Sequence, residues 1–528
     1  MNSKLVIGLD FGTDSVRALL VNTLNGDIVS EAEHRYQRWA DQQFCDSANF
    51  QFRQHPQDYL DGLTSVVRKV ARGIEPEQIV GIGVDTTGST VCAVDREGTP
   101  LALKAEFAES PDAMFLLWKD HTAIAEADEI NRIASNWEKD YRRYVGSTYS
   151  CEWFWSKILH VLRKNPEVEK VAFSWVEHCD WIVGELTGNT DPLKMKRCRC
   201  AAGHKAMWHS EWGGLPPKDF LDAVDPRLGR LRNCLYTESQ TADQPTGKLS
   251  PKWARILGLS PEAVIAGGQL DCHAGAVGAG ILPGKLVKVV GTSTCDILVG
   301  KTDASCVRGI SGQVEGSVLP NLTGFEAGQS AFGDIYRWFQ QFLSAFGAGI
   351  SIAEIEERAA SISSEEVNNV LAIDWFNGRR SPDANPHLQG AIFGLTLSTT
   401  TEMVYRALVE ATCCGARRIV ERFTESGLTV NSITAVGGIA RKSPFVMQTM
   451  ANILNMPIEV LRSPQACALG SAMNAATAAK IYPALEKAMK AMHPGCDRSY
   501  TPCEKDVAEG EKKYRKYLIA AKLVEDFQ

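Results

Sequence analysis

The sequence predicts an α/β protein built from two domains of like design. Three observations carry that expectation. Residues 5–90 read as an antiparallel hairpin, a helix and a buried strand that ends in a polar loop. Residues 286–461 repeat that order of elements, again with tips rich in glycine and hydroxyl side chains. Hydrophobic residues make up 44% of the 528 positions, enough for large cores, and no apolar run approaches the ~18 residues of a membrane span.

In the first unit, Leu5-Val6-Ile7-Gly8-Leu9 is an apolar strand and Asp10 to Ser15 a polar turn. Val16 to Val21 is the second strand, and Asn25-Gly26 supplies a hairpin turn before Ile28-Val29. His55-Pro56-Gln57-Asp58 opens a helix with Tyr59, Leu63, Val66, Val67 and Val70 at helical spacing, and Gly73 ends it. Val80 to Asp85 is a buried strand running into Thr86-Thr87-Gly88-Ser89-Thr90.

The second unit opens with Leu286 to Val290, turns at Gly291-Thr292-Ser293-Thr294-Cys295 and continues through Asp296 to Val299. FGTDSVRALLV beside VGTSTCDILVG shows the likeness. A helix from about Thr401 to Ser426 has the stripe Val404, Leu408, Ala411, Ile419 and Phe423. Thr399 with Glu402 is the predicted capping box and Gly427 the C-cap. The strand Ile433 to Val436 ends in Gly437-Gly438. Pro444 to Leu454 is helical, Ile458 to Leu461 a strand, and Ala466 to Ala479 a helix of small residues.

The simplest boundary is Pro283-Gly284, giving domains 1–284 and 285–528. Residues from about 100 to 265 are Trp-rich and irregular, an insertion suited to forming a substrate wall. The tail from Glu504 is charged and predicts a surface helix.

Lys and Arg number 56 against 63 Asp and Glu, a net charge of −7, so the basic excess of a nucleic-acid binder is missing. The start MNSKLVIGLD lacks a basic–apolar–small leader pattern. The expectation is a cytoplasmic chain with no membrane partner whose 15 scattered cysteines are reduced thiols. Cys198 and Cys200 are spaced C-x-C and Cys413-Cys414 are adjacent. Neither pair has the second cluster that a structural zinc site needs.

The chemistry concentrates in the glycine tips. Asp10-Phe11-Gly12-Thr13 sets a carboxylate, a glycine and a hydroxyl on one turn. Backbone N–H groups and Thr13 can donate to phosphate oxygens there. Asp10 would repel a phosphate unless a cation such as Mg²⁺ stood between them. Gly291-Thr292-Ser293 is an acid-free counterpart, and Gly437-Gly438 could let an adenine or ribose lie against backbone. Ordinary turns satisfy each tip taken singly. G-x-x-x-x-G-K-[ST] is absent, which excludes a P-loop.

Three such tips in a duplicated architecture resemble the ATPase fold of actin, Hsp70-type chaperones and sugar kinases. That resemblance implies two RNase H-like domains with an interdomain cleft for ATP and sugar. Gly267-Gly268-Gln269-Leu270-Asp271-Cys272-His273-Ala274-Gly275 looks like the aspartate loop of the FGGY carbohydrate kinases. Asp271 suits a general base taking the proton of a substrate hydroxyl, and it suits an N-cap equally.

The segments VGIGVDTTGST, LLWKDHTA, CAAGHKAMWH, FEAGQSAFGD, DWFNGRRSPDAN, VGGIARKSPFVMQ and CALGSA resemble the ribulokinase subgroup of that family. The likeness covers nearly the whole chain and implies phosphorylation of L-ribulose, with D-ribulose also used, at the 5-hydroxyl in arabinose catabolism. It places ATP against Gly12, Thr13, Ser15, Arg17, Gly291, Thr292, Gly333, Gly437 and Gly438. The sugar meets Ala93, Lys205, Asp271 and Glu326, and Asp10 helps to hold Mg²⁺. Asp14 departs from the Thr or Ser of many relatives.

Other features have blander readings. His121, His204 and His273 could each be ligands, but lone histidines in such loops are more often hydrogen-bonded structure. Lys196, Arg197 and Arg199 read as a solvated face, and Trp153, Trp155, Trp175, Trp181, Trp208 and Trp212 mostly as core. The alternatives are a kinase for another pentulose or pentitol (D-ribulose, ribitol or D-xylulose), and more remotely an ATPase with no sugar. A homodimer is left open.

Overall fold

The computed structural model describes residues 4–301, 306–345, 347, 349–362, 367 and 369–527. It divides into two compact units. The first comprises Met1–Gly280, Gln313–Gly324 and Gln465–Pro494; the second comprises Ile281–Gly312, Phe325–Pro464 and Gly495–Gln528.

In the first unit, β1 (Leu5–Phe11), β2 (Ser15–Asn22) and β3 (Ile28–Arg35) form an antiparallel meander. Helix α1 (Pro56–Val70) leads to β4 (Ile79–Thr86), which pairs with β1 in parallel. Helix α2 (Arg199–Ala206) lies in the insertion. Strand β5 (Val264–Leu270) pairs in parallel with β4 and feeds α3 (Asp271–Gly278) directly. The six-stranded sheet runs from the edge strand Pro245–Lys248 through β5, β4, β1, β2 and β3.

Every residue of β1 is buried, because both faces of the sheet are covered. On one face Ile7, Leu9 and Phe11 pack with Tyr59, Leu63 and Val66 of α1. On the other lies the helix Ala466–Ala478, against backbone rather than side chains. A Cβ on Gly8 would stand 1.8 Å from the Ala468 carbonyl oxygen, and one on Gly83 would stand 1.9 Å from that of Ser471. Glycine at those two crossings is what admits the helix.

That packing explains the departure from the boundary expected at Pro283-Gly284. The first change of unit does fall at Gly280, but Gln313–Gly324 and Gln465–Pro494 return to the first unit. The insertion has its own core, in which Trp153, Trp155 and Trp175 are buried, while Trp181 joins the core of the sheet. Trp208 and Trp212 are partly buried against the insertion core. The basic run is also corrected. Arg197 is buried, ion-paired with Asp180 at 3.5 Å and donating to the Pro192 carbonyl at 3.0 Å, so it is not solvated.

The second unit begins with the hairpin β6 (Gly284–Val290) and β7 (Thr294–Gly300). Helices α4 (Gly333–Ser344) and α5 (Thr401–Glu425) follow. Strand β8 (Val430–Val436) pairs in parallel with β6. After α6 (Pro444–Leu454), β9 (Ile458–Leu461) pairs in parallel with β8, and β10 (Cys496–Tyr500) closes that side antiparallel. Hairpin, helix and parallel strand therefore recur with the same directions as in the first unit.

Two local expectations are revised here. The N-cap of α5 is Thr400, whose hydroxyl accepts from the Met403 N–H, while Thr399 accepts from Thr396. The C-terminal helix α7 (Glu504–Phe527) is not only a surface element. Tyr514, Tyr517, Ala520 and Val524 are buried in the core of the unit, and Lys513 is ion-paired with Glu410 at 2.9 Å.

Candidate active site

The turn between β1 and β2 is closed by the Gly12 N–H donating to the Ser15 carbonyl at 3.0 Å. Thr13 is held from both ends. The Trp118 indole N–H donates to its hydroxyl at 3.0 Å and the Gln54 amide to its carbonyl at 2.6 Å. Asp14 accepts from the Trp39 indole at 2.7 Å, which gives this carboxylate a structural partner. The Ser15 hydroxyl donates to Glu33 at 2.6 Å, so it is engaged within the hairpin. Arg17 lies 3.3 Å from Glu33 and 3.7 Å from Asp10.

Asp10 is buried and stands opposite Asp85 in the β1–β4 register. Burial raises its pKa and Arg17 opposes that shift. Asp85 is raised further, by burial first and then by the charge of Asp10, with Asp271 adding to it. One Asp85 oxygen accepts the Ser471 hydroxyl at 2.6 Å. Two acids this close favour one shared proton or one shared cation. Ligand atoms of Asp10, Asp85 and Cys467 lie within 4.8 Å of one another. The paired carboxylates fit a hard cation such as Mg²⁺, and the thiol does not.

Sequence reasoning missed Asp85. Its signal was available: β4 reads VGIGVD and carries a carboxylate one residue before its end, as β1 does. Also missed was the buried group beneath the following loop. Glu177 accepts from the Ser89 hydroxyl and from the Thr90 N–H, and Lys157 donates to the Ser89 and Leu117 carbonyls at 2.8 and 2.7 Å. Burial pulls the Lys157 pKa down to about 7.

Asp271 is the first residue of α3, its carboxylate accepting from the Cys272 N–H at 2.6 Å. A β-strand running straight into a helix thus fixes this carboxylate at the sheet's C-terminal edge. Lys205, near the end of α2, is buried with Nζ 5.4 Å from the centre of the Trp153 ring. The Tyr149 hydroxyl donates to its carbonyl at 2.5 Å. Ala93 sits on the strand Val91–Val94 opposite Trp175 and has no exposed surface.

In the second unit the expected nucleotide residues do come together. The Phe332 N–H donates to the Thr292 carbonyl at 2.7 Å, and the Gly333 N–H to that of Gly291 at 3.1 Å. Gly437 has φ +106°, and a Cβ there would lie 2.5 Å from the Val290 carbonyl oxygen. Gly291, Thr292, Gly333, Gly437 and Gly438 therefore cluster where β6 and β8 end. Beneath them Lys288 is ion-paired with Asp296 at 2.8 Å. Glu326 is buried on the strand Thr323–Ala327. It belongs to the second unit, whereas Ala93, Lys205 and Asp271 belong to the first.

Comparison with known proteins names this architecture. The N-terminal domain of the FGGY family of carbohydrate kinases matches residues 5–278, and its C-terminal domain matches residues 286–479. The ribulokinase of Vibrio parahaemolyticus is 46% identical over 97% of this chain and 94% of its own length. The ribulokinase of Halalkalibacterium halodurans is 36% identical over 98% and 94%. Among solved structures, a xylulose kinase from Rhodospirillum rubrum aligns with a TM-score of 0.80 at 21% identity, covering 99% of both chains. That likeness concerns the fold alone. With both domains matched in order and relatives this similar along the full length, the chain belongs to the FGGY family of carbohydrate kinases.

Proposed function

We propose that the protein is a ribulokinase, which transfers the γ-phosphoryl group of ATP to the 5-hydroxyl of L-ribulose, and of D-ribulose, in L-arabinose catabolism. The observation that carries this reading is the 46% identity to a ribulokinase along almost the entire chain. The WKDHTA and WFNGRR segments agree with it.

Asp271 is the base. Its carboxylate is held by its own helix start and takes the proton of the sugar hydroxyl as the oxygen attacks phosphorus. Lys205 and Glu326 hydrogen-bond sugar hydroxyls, and their burial makes an unmatched acceptor costly. Thr13, Thr292 and the glycine backbones donate to phosphate oxygens. Asp10 and Asp85 are the carboxylates that would hold Mg²⁺, which would supply charge neutralisation for the phosphates when bound. Catalysis is then chiefly positioning and electrostatics.

The experiment is a coupled assay of ADP release against L-ribulose, D-ribulose, ribitol, D-xylulose and glycerol. Best turnover on a ribulose supports the reading. Best turnover on D-xylulose or glycerol overturns the acceptor while leaving a kinase. ATP hydrolysis indifferent to every sugar overturns the kinase itself.

A further inference from the structure

Away from the acidic pair, the fold assembles a second kind of ligand set. Cys200 and His204 are one turn apart on α2, so their side chains share a face of the helix. His273 reaches the same place from the first turn of α3. The rings of His204 and His273 are 4.6 Å apart between centres. One ligand atom from each of Cys200, His204 and His273 lies within 4.8 Å of the other two. All three residues are buried.

The surroundings orient the rings. The Ser317 hydroxyl donates to the Val314 carbonyl at 3.0 Å, so its oxygen receives the N–H of His204 Nε2 at 3.1 Å. That fixes the His204 tautomer and puts the lone pair on Nδ1, as a hydrogen-bonded second nitrogen does in metal-binding histidines. Cys272 Sγ contacts His273 on Nδ1 at 3.2 Å; with the proton on Nδ1, Nε2 carries the lone pair that a metal would use. A tetrahedral zinc ion, with bonds of ~2.0–2.3 Å, holds its ligands roughly 3.3–3.7 Å apart. An ion would therefore draw this cluster in by no more than about 1.5 Å.

We infer that Cys200, His204 and His273 form a binding site for a thiophilic divalent cation of the zinc class, tying α2 to α3. One thiolate and two imidazoles select such an ion over Mg²⁺, so this site and the Asp10–Asp85 pair sort cations by softness. A fourth position is left for water. Binding displaces the thiol proton of Cys200 to solvent as the sulfur–metal bond forms. His204 and His273 stand out in the sequence as possible ligands taken singly, but their grouping with Cys200 does not, because His273 is far along the chain from the C-x-x-x-H spacing of α2 and the C-x-C pair points to no second cluster.

The test uses the full chain and Co²⁺ as an optical probe, read at equilibrium because a buried site fills through local opening. One equivalent of Co²⁺ is expected to give a thiolate-to-cobalt charge-transfer band that Zn²⁺ bleaches. Cys200→Ser should abolish the band, and His204→Gln should weaken Co²⁺ binding at least ~10-fold. Cys198→Ser and Cys272→Ser should keep it. Zn²⁺ should raise the melting temperature of the wild type and not that of Cys200→Ser. Absence of the band at one equivalent overturns the site. So does a band that survives Cys200→Ser. Should Cys200→Ser fail to fold, unchanged Co²⁺ affinity in His204→Gln overturns the site on its own.

Discussion

Asp10 of β1 and Asp85 of β4 stand at the same level of a parallel ladder, side by side at the C-terminal edge of the first sheet. Neither carboxylate is free of the other, and burial pushes both above the ordinary value of 3.8. A group favoured in its protonated form by the fold contributes stability below its unfolded pKa and loses it as pH rises through the folded value. In the absence of divalent cations, stability should therefore decline as pH rises above about 4 on account of this pair. Asp85→Asn keeps the Ser471 hydrogen bond and removes the repulsion, so it should flatten that decline. Urea unfolding in EDTA across pH, for wild type and variant, measures it; parallel curves would exclude the pair as the cause.

With Mg²⁺ held by this pair as proposed, the same proton would compete with the cation. Lowering the pH toward the raised pKa values should increase the Mg²⁺ concentration needed for half-maximal activity, and Asp85→Asn should raise that requirement at every pH. Titrating Mg²⁺ at fixed ATP checks both. A requirement independent of pH would place the cation elsewhere.

Asp271→Asn should lower the rate of sugar phosphorylation by at least ~10²-fold, the usual contribution of a positioned base. The amide still accepts from the Cys272 N–H, so α3 and the fold should persist. Nucleotide affinity, read by calorimetry, should change little. Near wild-type turnover would remove Asp271 from the mechanism.

What the sequence discloses follows from how local each signal is. The hairpin turns, the helix Pro56–Val70 and the strand ends at Gly437-Gly438 are written in contiguous residues, and the structure has them where periodicity and turn chemistry put them. The place of Asp271 at a helix start was readable because its strand runs into its helix without a loop, while its proposed role came from the likeness of that loop to the FGGY kinases. Asp85 was not read, since its carboxylate after an apolar strand is a local signal that gains meaning only beside Asp10, far back in the chain. Arg197 looked solvated because its counter-charge, Asp180, lies on the separate helix His178–Thr187. The helix Ala466–Ala478 was read correctly as a helix, but its place beside β1 depends on Gly8 and Gly83, which look unremarkable one at a time.

The second-unit glycine cluster makes a separate prediction. Thr292→Val should weaken ATP binding by ~1.5–3 kcal/mol, the value of one hydrogen bond to a charged group. Gly437→Ala should cost at least ~1–3 kcal/mol in stability, because φ +106° with ψ 176° is a conformation essentially reserved for glycine and the Cβ also meets the Val290 carbonyl. Nucleotide calorimetry and thermal melts separate the two effects. Unchanged affinity in Thr292→Val would take the hydroxyl out of the phosphate clamp.

In the proposed reading, buried polar groups select the acceptor. Lys205 and Glu326 are both buried, and a ligand that leaves either unmatched forfeits ~1–3 kcal/mol for each hydrogen bond not made. Glycerol offers fewer hydroxyls than L-ribulose and leaves more polar groups unmatched, so its kcat/KM should fall several powers of ten below that of L-ribulose. L-ribulose and D-ribulose should differ less, because a shifted pose lets each satisfy most of the same groups. Lys205→Met removes one donor and keeps the stem that packs toward Trp153. It should raise the KM for ribulose far more than the KM for ATP, with the larger loss on the sugar that depends most on that donor. Steady-state kinetics on L-ribulose, D-ribulose and glycerol with both proteins reads this directly. Equal rises in the two KM values would mean that Lys205 supports the fold of α2 and does not touch the sugar.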